Sequence, residues 1–230
     1  SNFSTIITGV RAFNTEKWLT DYKDSLLKYV ERGGNLLIQY NTSSGLIAEI
    51  PKPFPFKISR DRITEEESEA IILDSNSSIM SYPNKIGKND FKNWIQEYGL
   101  YFPSDVDTNY HKILSLHDTG ESPNENSTIF CKYGKGKYVY TGLSFFRELP
   151  AGVPGATKLF VNLIEDNIAQ MEIKRIPNGH DSGDKSLNNE LIPEDKKKKR
   201  KTKNKKGTKN ELRYSENGNT STSSWCFGWC

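Results

Sequence analysis

The sequence predicts an α/β domain with a mixed, mostly parallel sheet, followed by a disordered C-terminal tail. Three features indicate this class: a strand, a helix and a strand in succession near the start, a glycine-rich hairpin around residues 134–136, and an amphipathic helix after the hairpin. A strand–helix–strand unit places its two strands side by side and parallel. A hairpin adds an antiparallel pair, so the sheet is expected to be mixed.

The first unit begins with a short strand at Thr5–Thr8, which Gly9 closes. A helix is predicted over Thr15–Glu31, capped by Asn14 or Thr15, because apolar side chains recur there at helical spacing. We expect this apolar stripe to face the core. Its residues are Trp18, Leu19, Tyr22, Leu26, Leu27 and Val30.

A double glycine separates this helix from the next strand. Gly33 supplies the left-handed turn that ends the helix. The run Leu36–Ile38 is apolar on both faces, which is typical of a parallel strand covered by helices on either side. The carboxyl end of such a strand is where open α/β sheets hold ligands. Tyr40 and Asn41 occupy that position.

The middle of the chain predicts short elements between polar loops. The segment from Asn41 to Phe56 is rich in Ser, Gly and Pro and is expected to be an irregular surface loop. The elements predicted after it are strands at Ile71–Leu73, Gly99–Phe102 and His111–Leu116 and a short helix around Phe91, Trp94 and Ile95.

A hairpin and a helix complete the predicted domain. Thr128–Tyr133 and Lys137–Gly142 flank the Gly-Lys-Gly turn at 134–136, which is a specific hairpin signal. A helix is predicted from about Ala156 to Ala169, with an apolar side formed by Leu159, Phe160, Leu163 and Ile164. We therefore place the α/β domain at residues 1–170 and the tail at 171–230.

The tail differs from the body in charge. From Ile173 to Cys230 there are 14 Lys and Arg against 7 Asp and Glu, so the net charge of +3 divides into +7 for the tail and −4 for the body. The run Lys196–Lys206 is expected to stay solvated and disordered. Binding of nucleic acid or an anionic membrane by this run is the alternative, which the lack of interleaved aromatic residues disfavours.

Other features bound the class of protein. No stretch has the length and apolarity of a membrane-spanning helix. Three cysteines give no disulfide framework and leave the redox compartment open. The chain enters a strand soon after Ser1, and its last residues, Trp225–Cys230, have the character of a truncated or out-of-frame end. We expect a piece of a longer protein.

Five separated segments resemble one known family, in the same order along the chain. They read IITGVRAFNTEKWL, YVERGGNLLIQYNT, FPFKISRDRIT, DFKNWIQEYGLYF and YGKGKYVYTGLSFFRELPAGVPGATKLFVNLI, within Phe3 to about Ile168. They are similar to the glutamine-amidotransferase-like domain at the carboxyl end of bacterial PIG-L family deacetylases. The resemblance implies a flavodoxin-like sandwich whose first strand or strands precede this sequence. It also implies an extracytoplasmic location, because family members usually pass through the export pathway.

Two departures from the catalytic patterns of these proteins bear on function. Amidotransferases of this fold carry a cysteine on the turn after the strand, with a His and a Glu farther on, whereas this chain has Tyr40 and Asn41 there. Without a thiolate, nothing attacks a glutamine amide. The His-Pro-Asp-Asp zinc motif of the deacetylase domain is absent from the sequence. We therefore expect no cofactor in this segment and assign zinc to a deacetylase domain outside it.

Polar side chains are expected to gather at the carboxyl edge of the sheet and to form a ligand site. They are Arg11 and Asn14 after the first strand, Tyr40 and Asn41 after the second, and Arg147 and Glu148 after the hairpin. Guanidinium groups, amides and a phenol suit a sugar or a carboxylate. Alternatively, the charged members pair with one another and tie loops together. The run Arg60–Arg62 fits either scheme.

The resemblance and the missing thiol together imply a non-catalytic accessory domain that binds a saccharide or packs on the deacetylase domain of its parent chain. The rival hypothesis is a hydrolase or amidotransferase-like enzyme that uses Cys131 with His111 or His117 and Glu148. Cys131, however, falls inside a hairpin strand, where a buried structural thiol is expected. A metal held by the two histidines and Asp118 is disfavoured, because six residues of strand separate the histidines by about 20 Å.

Overall fold

A computed structural model of the chain describes residues 3–165. The tail predicted at 171–230 and the end of the last predicted helix lie outside the described residues. Strands β1 (Thr5–Thr8) and β2 (Asn35–Gln39) are parallel, as the strand–helix–strand pattern predicts. The register places Thr5 opposite Asn35 and Thr8 opposite Ile38.

The connection between these strands consists of three short segments rather than the single helix predicted over Thr15–Glu31. They are α1 (Ala12–Thr15), a 3-10 segment (Lys17–Tyr22) and α2 (Lys23–Glu31). Because a 3-10 helix has three residues per turn, the predicted apolar stripe is not maintained. Trp18 and Tyr22 are 56% and 53% exposed, so their predicted burial is wrong. The predicted cap at Asn14 or Thr15 is also wrong, because α1 begins before both residues.

Helix α2 ends at the double glycine as predicted. Gly33 has a φ of 118°, in the region that favours glycine. The N–H groups of Gly33 and Gly34 donate to the carbonyls of Val30 and Tyr29 at 2.9 and 3.0 Å, which satisfies acceptors of the last helical turn. A Cβ on Gly34 would lie 2.1 Å from the Tyr29 ring, so the second glycine permits a close approach.

The chain between β2 and the hairpin forms short paired strands. They are β3 (Lys57–Ile58), β4 (Arg62–Ile63), β5 (Ile71–Ile72), β6 (Gly99–Leu100), β7 (Pro103–Ser104), β8 (His111–Lys112) and β9 (Leu114–Ser115), with α3 at Ser78–Ser81. Three antiparallel pairs result: β3 with β7, β4 with β6, and β5 with β9. The single strand predicted at His111–Leu116 is divided into β8 and β9. The helix predicted around Phe91 is only a 3-10 turn at Lys88–Phe91.

The predicted hairpin is present. Strands β10 (Thr128–Tyr133) and β11 (Gly136–Thr141) are antiparallel and are joined by a tight turn in which Gly134 has a φ of 58°. Strand β11 also pairs with β2, and these two strands are parallel. Strand β8 pairs with β10, and these two strands are antiparallel. The central sheet has the order β1-β2-β11-β10-β8 and is mixed. Its parallel part is β1-β2-β11.

Helices cover both faces of this sheet. Alternate residues of β2 and β11 belong to two cores, one shared with α2 and the other with α5 (Pro154–Ile164). The first core includes Val30, Leu36, Ile38, Tyr138 and Tyr140. The second includes Leu37, Val139, Leu159 and Leu163. No described helix is both long enough and apolar enough to cross a membrane.

The last turn of α5 is held by polar side chains at the start of three neighbouring strands. The contacts are Thr5 Oγ1 to Ile164 O at 2.7 Å, Asn35 Nδ2 to Leu163 O at 3.0 Å, and Lys137 Nζ to Glu165 O at 2.6 Å. In the sheet, Asn35 is the register partner of both Thr5 and Lys137. The final carbonyls of a helix lack intrahelical donors and carry partial negative charge, so an amide and a buried lysine are favourable there.

Candidate functional site

The carboxyl ends of β1, β2 and β11 lie at one edge of the sheet and bring Arg11, Tyr40 and Arg147 together. The Arg11 N–H donates a hydrogen bond to the Tyr40 carbonyl at 2.8 Å. Arg147 lies in helix α4 (Phe145–Glu148), shortly after β11 ends. The charges of Arg11 and Arg147 both act on the Tyr40 phenol. Three of the six predicted site residues therefore share one place in the fold.

Aromatic rings form a continuous group beside these guanidinium groups. The rings of Tyr40 and Tyr101 are stacked, with centroids 6.0 Å apart and planes 11° apart. The Phe146 ring also contacts the Tyr40 ring, with centroids 5.4 Å apart. The Arg147 guanidinium lies over the Phe146 ring, 5.0 Å from its centroid. We call Arg11, Tyr40, Tyr101, Phe146 and Arg147 the edge cluster.

A buried glutamate fixes one side of the edge cluster. Glu97 is 3% exposed, and its two carboxylate oxygens lie 2.8 Å from Arg147 Nη2 and 2.5 Å from Arg62 Nη2. The contact with Arg147 is an ion pair without hydrogen-bond geometry, since Glu97 Oε1 and Arg147 Nε have no hydrogen-bond partner among residues 3–165. A buried carboxylate requires cations nearby, so Glu97 holds both arginines in place.

The donors of the edge cluster are only partly used by the protein itself. The Arg11 guanidinium and the Tyr40 hydroxyl make no ion pair or hydrogen bond with any residue in the described part of the chain. Burial raises the pKa of Tyr40, and the positive charges of Arg11 and Arg147 offset this effect only in part. The phenol is therefore protonated at neutral pH and is available as a hydrogen-bond donor.

Asn14 and Asn41 hold loops rather than contribute to the edge cluster. Asn41 is fully buried; its Oδ1 accepts the Phe13 N–H at 2.9 Å, and its Nδ2 donates to the Gln39 carbonyl at 3.0 Å. Asn14 Oδ1 accepts the Thr42 N–H at 2.9 Å. Buried backbone N–H groups need acceptors, and these two amides supply them where the loops after β1 and β2 meet.

Glu148 is also fully buried, and its side chain stabilises the fold rather than contributing to the edge cluster. Its carboxylate accepts hydrogen bonds from the Ile95 N–H at 3.1 Å and from Ser144 Oγ at 3.4 Å. Burial raises the pKa of Glu148, and these hydrogen bonds and the Arg147 charge offset it in part. Arg147 pairs with Glu97, so the mutual pairing of Arg11, Arg147 and Glu148 is not the arrangement found.

Three residues at this edge were not predicted: Glu97, Tyr101 and Phe146. Phe146 directly precedes the predicted site residue Arg147, and Glu97 is a charged residue just before the predicted strand Gly99–Phe102. Their positions in the sequence could therefore have indicated them. Tyr101 falls inside that predicted strand. It instead has a φ of 55°, a left-handed conformation that a tyrosine does not signal in a sequence.

Cys131 lies in β10 and is a buried free thiol. Burial raises the pKa of Cys131 to about 12. Since the thiolate is the nucleophile and little of it forms at neutral pH, these properties do not favour an enzyme that uses this residue.

We expect alkylation of Cys131 to be slower in the native protein than in the denatured protein by more than about a hundredfold. The measurement is mass mapping of peptides after timed treatment with iodoacetamide at pH 8, with the same reaction in guanidinium chloride as control. Native and denatured rates within about tenfold of each other would show that the thiol is reactive and accessible.

The histidines have contacts of their own. The His111 ring packs on Phe130 at 5.2 Å, and His117 Nδ1 lies 3.2 Å from the Asp118 carbonyl. The Asp118 carboxylate accepts hydrogen bonds from the loop after β4, namely from Thr64 N–H, Thr64 Oγ1, Glu65 N–H and Ser68 Oγ. Within residues 3–165, no group of three or more His, Cys, Asp or Glu side chains is placed to hold a metal ion.

Three surface clefts lie outside the edge cluster. A cleft of 470 Å³ runs between Glu66–Glu69 and Lys88–Asn93. A second, of 580 Å³, lies along residues 43–58, and a third, of 600 Å³, lies between Phe3 and the end of α2. None of the five residues of the edge cluster lines these three clefts.

Comparisons with known proteins give no family. No family model and no curated protein matches the chain. Among solved structures, a cytoplasmic protein from Salmonella typhimurium is 16% identical over 70% of each chain, with a TM-score of 0.46. A second cytoplasmic protein, from Salmonella typhimurium LT2, is 13% identical over 70% of this chain and 71% of that one, with a TM-score of 0.43. A β-galactosidase from Bacillus circulans sp. alkalophilus is 12% identical over 70% of this chain and 21% of its own, with a TM-score of 0.37. At these TM-scores the similarities establish neither a fold family nor a function.

Proposed function

We propose that residues 1–170 are a non-catalytic accessory domain, similar to the glutamine-amidotransferase-like domain of PIG-L zinc deacetylases. In this proposal the edge cluster binds a saccharide or packs on the deacetylase domain of the parent protein. A flavodoxin-like arrangement and an extracytoplasmic location belong to the same proposal. The parallel strands β1, β2 and β11, with helices on both faces, support that arrangement.

The observation that carries the proposal is the combination of aromatic rings with donors that have no partner. The half-buried rings of Tyr101 and Phe146, which both pack on the buried ring of Tyr40, offer apolar surface to the C–H groups of a sugar ring. The Arg11 guanidinium and the Tyr40 hydroxyl offer donors to its oxygens. Apolar surface with a few convergent polar groups is typical of a binding site.

The same position supports a role without catalysis. Tyr40 and Asn41 follow β2, where an amidotransferase would hold its cysteine. The pKa of Tyr40 is raised by burial, and the Asn41 side chain is committed to Phe13 and Gln39. Neither is an activated nucleophile. Zinc and the deacetylation step would belong to the deacetylase domain, which acts here as partner.

We expect replacement of single residues in the edge cluster to weaken binding by about tenfold or more. The tests are a glycan array and a pull-down with a separately expressed PIG-L deacetylase domain, each using the 230-residue chain. The informative variants are Arg11→Ala, Tyr101→Ala and Arg147→Ala. Arg32→Ala is the matched control, because Arg32 is an exposed arginine at the end of α2.

The outcome shows whether the edge cluster or another surface of the domain is the binding site. Loss of glycan or domain binding in the three variants, with Arg32→Ala unaffected, supports the edge cluster as the site. Binding that survives all three substitutions contradicts that site. Failure of the unmodified chain to bind any glycan or the deacetylase domain contradicts the proposed function as a whole.

A further inference from the structure

We infer that the saccharide bound at the edge cluster is acidic, with a carboxylate paired to Arg11 and a sugar ring packed on Tyr101. This inference rests on the proposed function and narrows the class of its ligand. It follows from a count of the charges at the edge, from the position of Arg11 and from the half-buried rings of the edge cluster.

The charges at the edge leave one guanidinium without a counter-charge. Arg62 and Arg147 both contact the same carboxylate, Glu97. The other buried carboxylate, Glu148, accepts the Ile95 N–H and makes no ion pair with Arg11. Of the charged groups that act on Tyr40, two are guanidinium groups and one is a carboxylate. The edge therefore has an excess of positive charge, although the body of the chain is net negative.

The backbone of Arg11 is fixed although its side chain is exposed. Its N–H donates to the Tyr40 carbonyl at 2.8 Å, and its own carbonyl accepts the Asn14 N–H at 2.8 Å. The guanidinium therefore starts from a fixed point directly beside Tyr40 and has no ion-pair partner among the described residues. A free guanidinium with a fixed base is suited to bidentate contact with a carboxylate.

The neighbouring rings favour a sugar acid over a simple anion. Tyr101 and Phe146 are half-buried, and both rings contact the ring of Tyr40. Arg11 and Tyr101 both act on the Tyr40 phenol. We therefore expect a sugar ring that covers Tyr101 to exclude water near Arg11, and exclusion of water strengthens the pairing of a guanidinium with a carboxylate. A neutral sugar would leave this guanidinium without a counter-charge in the same place, which lowers affinity.

The test compares an acidic oligosaccharide with its neutral, shape-matched form. We would titrate the 230-residue chain by calorimetry with oligogalacturonate and with the same oligosaccharide after methyl esterification of its carboxyl groups. The expected result is about tenfold tighter binding of the acid, with the difference falling as salt concentration rises. Arg11→Gln should remove the difference in affinity between the acid and the ester. Tyr101→Ala should weaken both, and Arg32→Gln should change neither.

Each of the following results would overturn the inference. Equal affinity for acid and ester, or binding only of neutral glycans on the array, removes the acidic class but leaves the proposed saccharide function. A peptide of four glutamates serves as a second anion. If it binds as tightly as oligogalacturonate, and if Tyr101→Ala does not change its affinity, the site binds anions rather than sugars. An Arg11→Gln variant that binds the acid normally removes Arg11 from the site. Failure to bind every glycan and the deacetylase domain removes the proposed function as well.

Discussion

Gly155→Ala is expected to lower the free energy of unfolding by about 4 kcal/mol. The sign is opposite to the effect of this substitution in an open helix, where Ala is favoured over Gly by roughly 1 kcal/mol. Gly155 lies in the first turn of α5 and packs against the backbone of Asp90, so a Cβ would lie 1.7 Å from the Asp90 carbonyl oxygen. Backbone cannot give way as a flexible side chain can, and the turn at Lys88–Phe91 must move.

That movement would break contacts that attach this turn to the core. The Asp90 carbonyl accepts the Trp94 indole N–H at 3.0 Å, and the Asp90 carboxylate contacts Lys158 Nζ at 2.8 Å. Urea denaturation monitored by circular dichroism measures the change. Gly9→Ala is the matched control, since a Cβ there meets no atom within 4 Å. A Gly155→Ala midpoint equal to that of the unmodified chain would mean that the packing at Asp90 is loose.

Asp118→Ala is expected to cost about 3 kcal/mol at pH 7, because it leaves the donors of the loop after β4 without an acceptor. Those donors are Thr64 N–H at 2.9 Å, Thr64 Oγ1 at 2.7 Å, Glu65 N–H at 3.1 Å and Ser68 Oγ at 3.1 Å. This loop follows β4, which carries Arg62, so the substitution also loosens one partner of Glu97. Asp74→Ala is the control: Asp74 is exposed, and its carboxylate accepts a single N–H, from Asn76.

The cost should depend on pH in a defined direction. Burial alone would raise the pKa of Asp118, but the hydrogen bonds from Thr64, Glu65 and Ser68 outweigh it and hold the pKa below its ordinary value. A lowered pKa in the folded state gives stability that is present above the unfolded value, about 3.9, and is lost as pH falls through the folded value. The difference between the native chain and Asp118→Ala should therefore shrink below about pH 4. A difference that stays constant down to pH 2 would contradict this role of the carboxylate.

The parts of the fold that the sequence predicts well are those with local partners. The pairing of β10 with β11 needs only the turn at Gly134, and the parallel pairing of β1 with β2 needs only the crossover between them. The paired strands β3 to β7, of two residues each, have partners up to 47 residues away, as Lys57 and Ser104 show. Segments of that length carry no periodicity to recognise. Trp18 and Tyr22 show the other source of error, because helical spacing does not distinguish an α-helix from a 3-10 segment.

The candidate site shows the same division. Topology alone brings Arg11, Tyr40 and Arg147 to one edge, and their positions after strands were visible in the sequence. The direction of a side chain was not visible: Asn41 and Glu148 follow the same strands but point inward to satisfy backbone N–H groups. Glu97 joins the edge through an ion pair with a residue 50 positions away, Arg147. Nothing in a single sequence indicates such a partner.

The contacts at the end of α5 bear on the order in which the domain can form during synthesis. Thr5 and Asn35 bind carbonyls that are 159 and 128 residues later in the chain. A shift of one position between β1, β2 and β11 would remove all three of these contacts together and turn Lys137 toward the opposite side of the sheet. Helix α5 therefore stabilises the native register of strands β1, β2 and β11, which are synthesised before it. Until that helix is made, a nascent chain lacks these three contacts, which favour the native register at this end of the sheet.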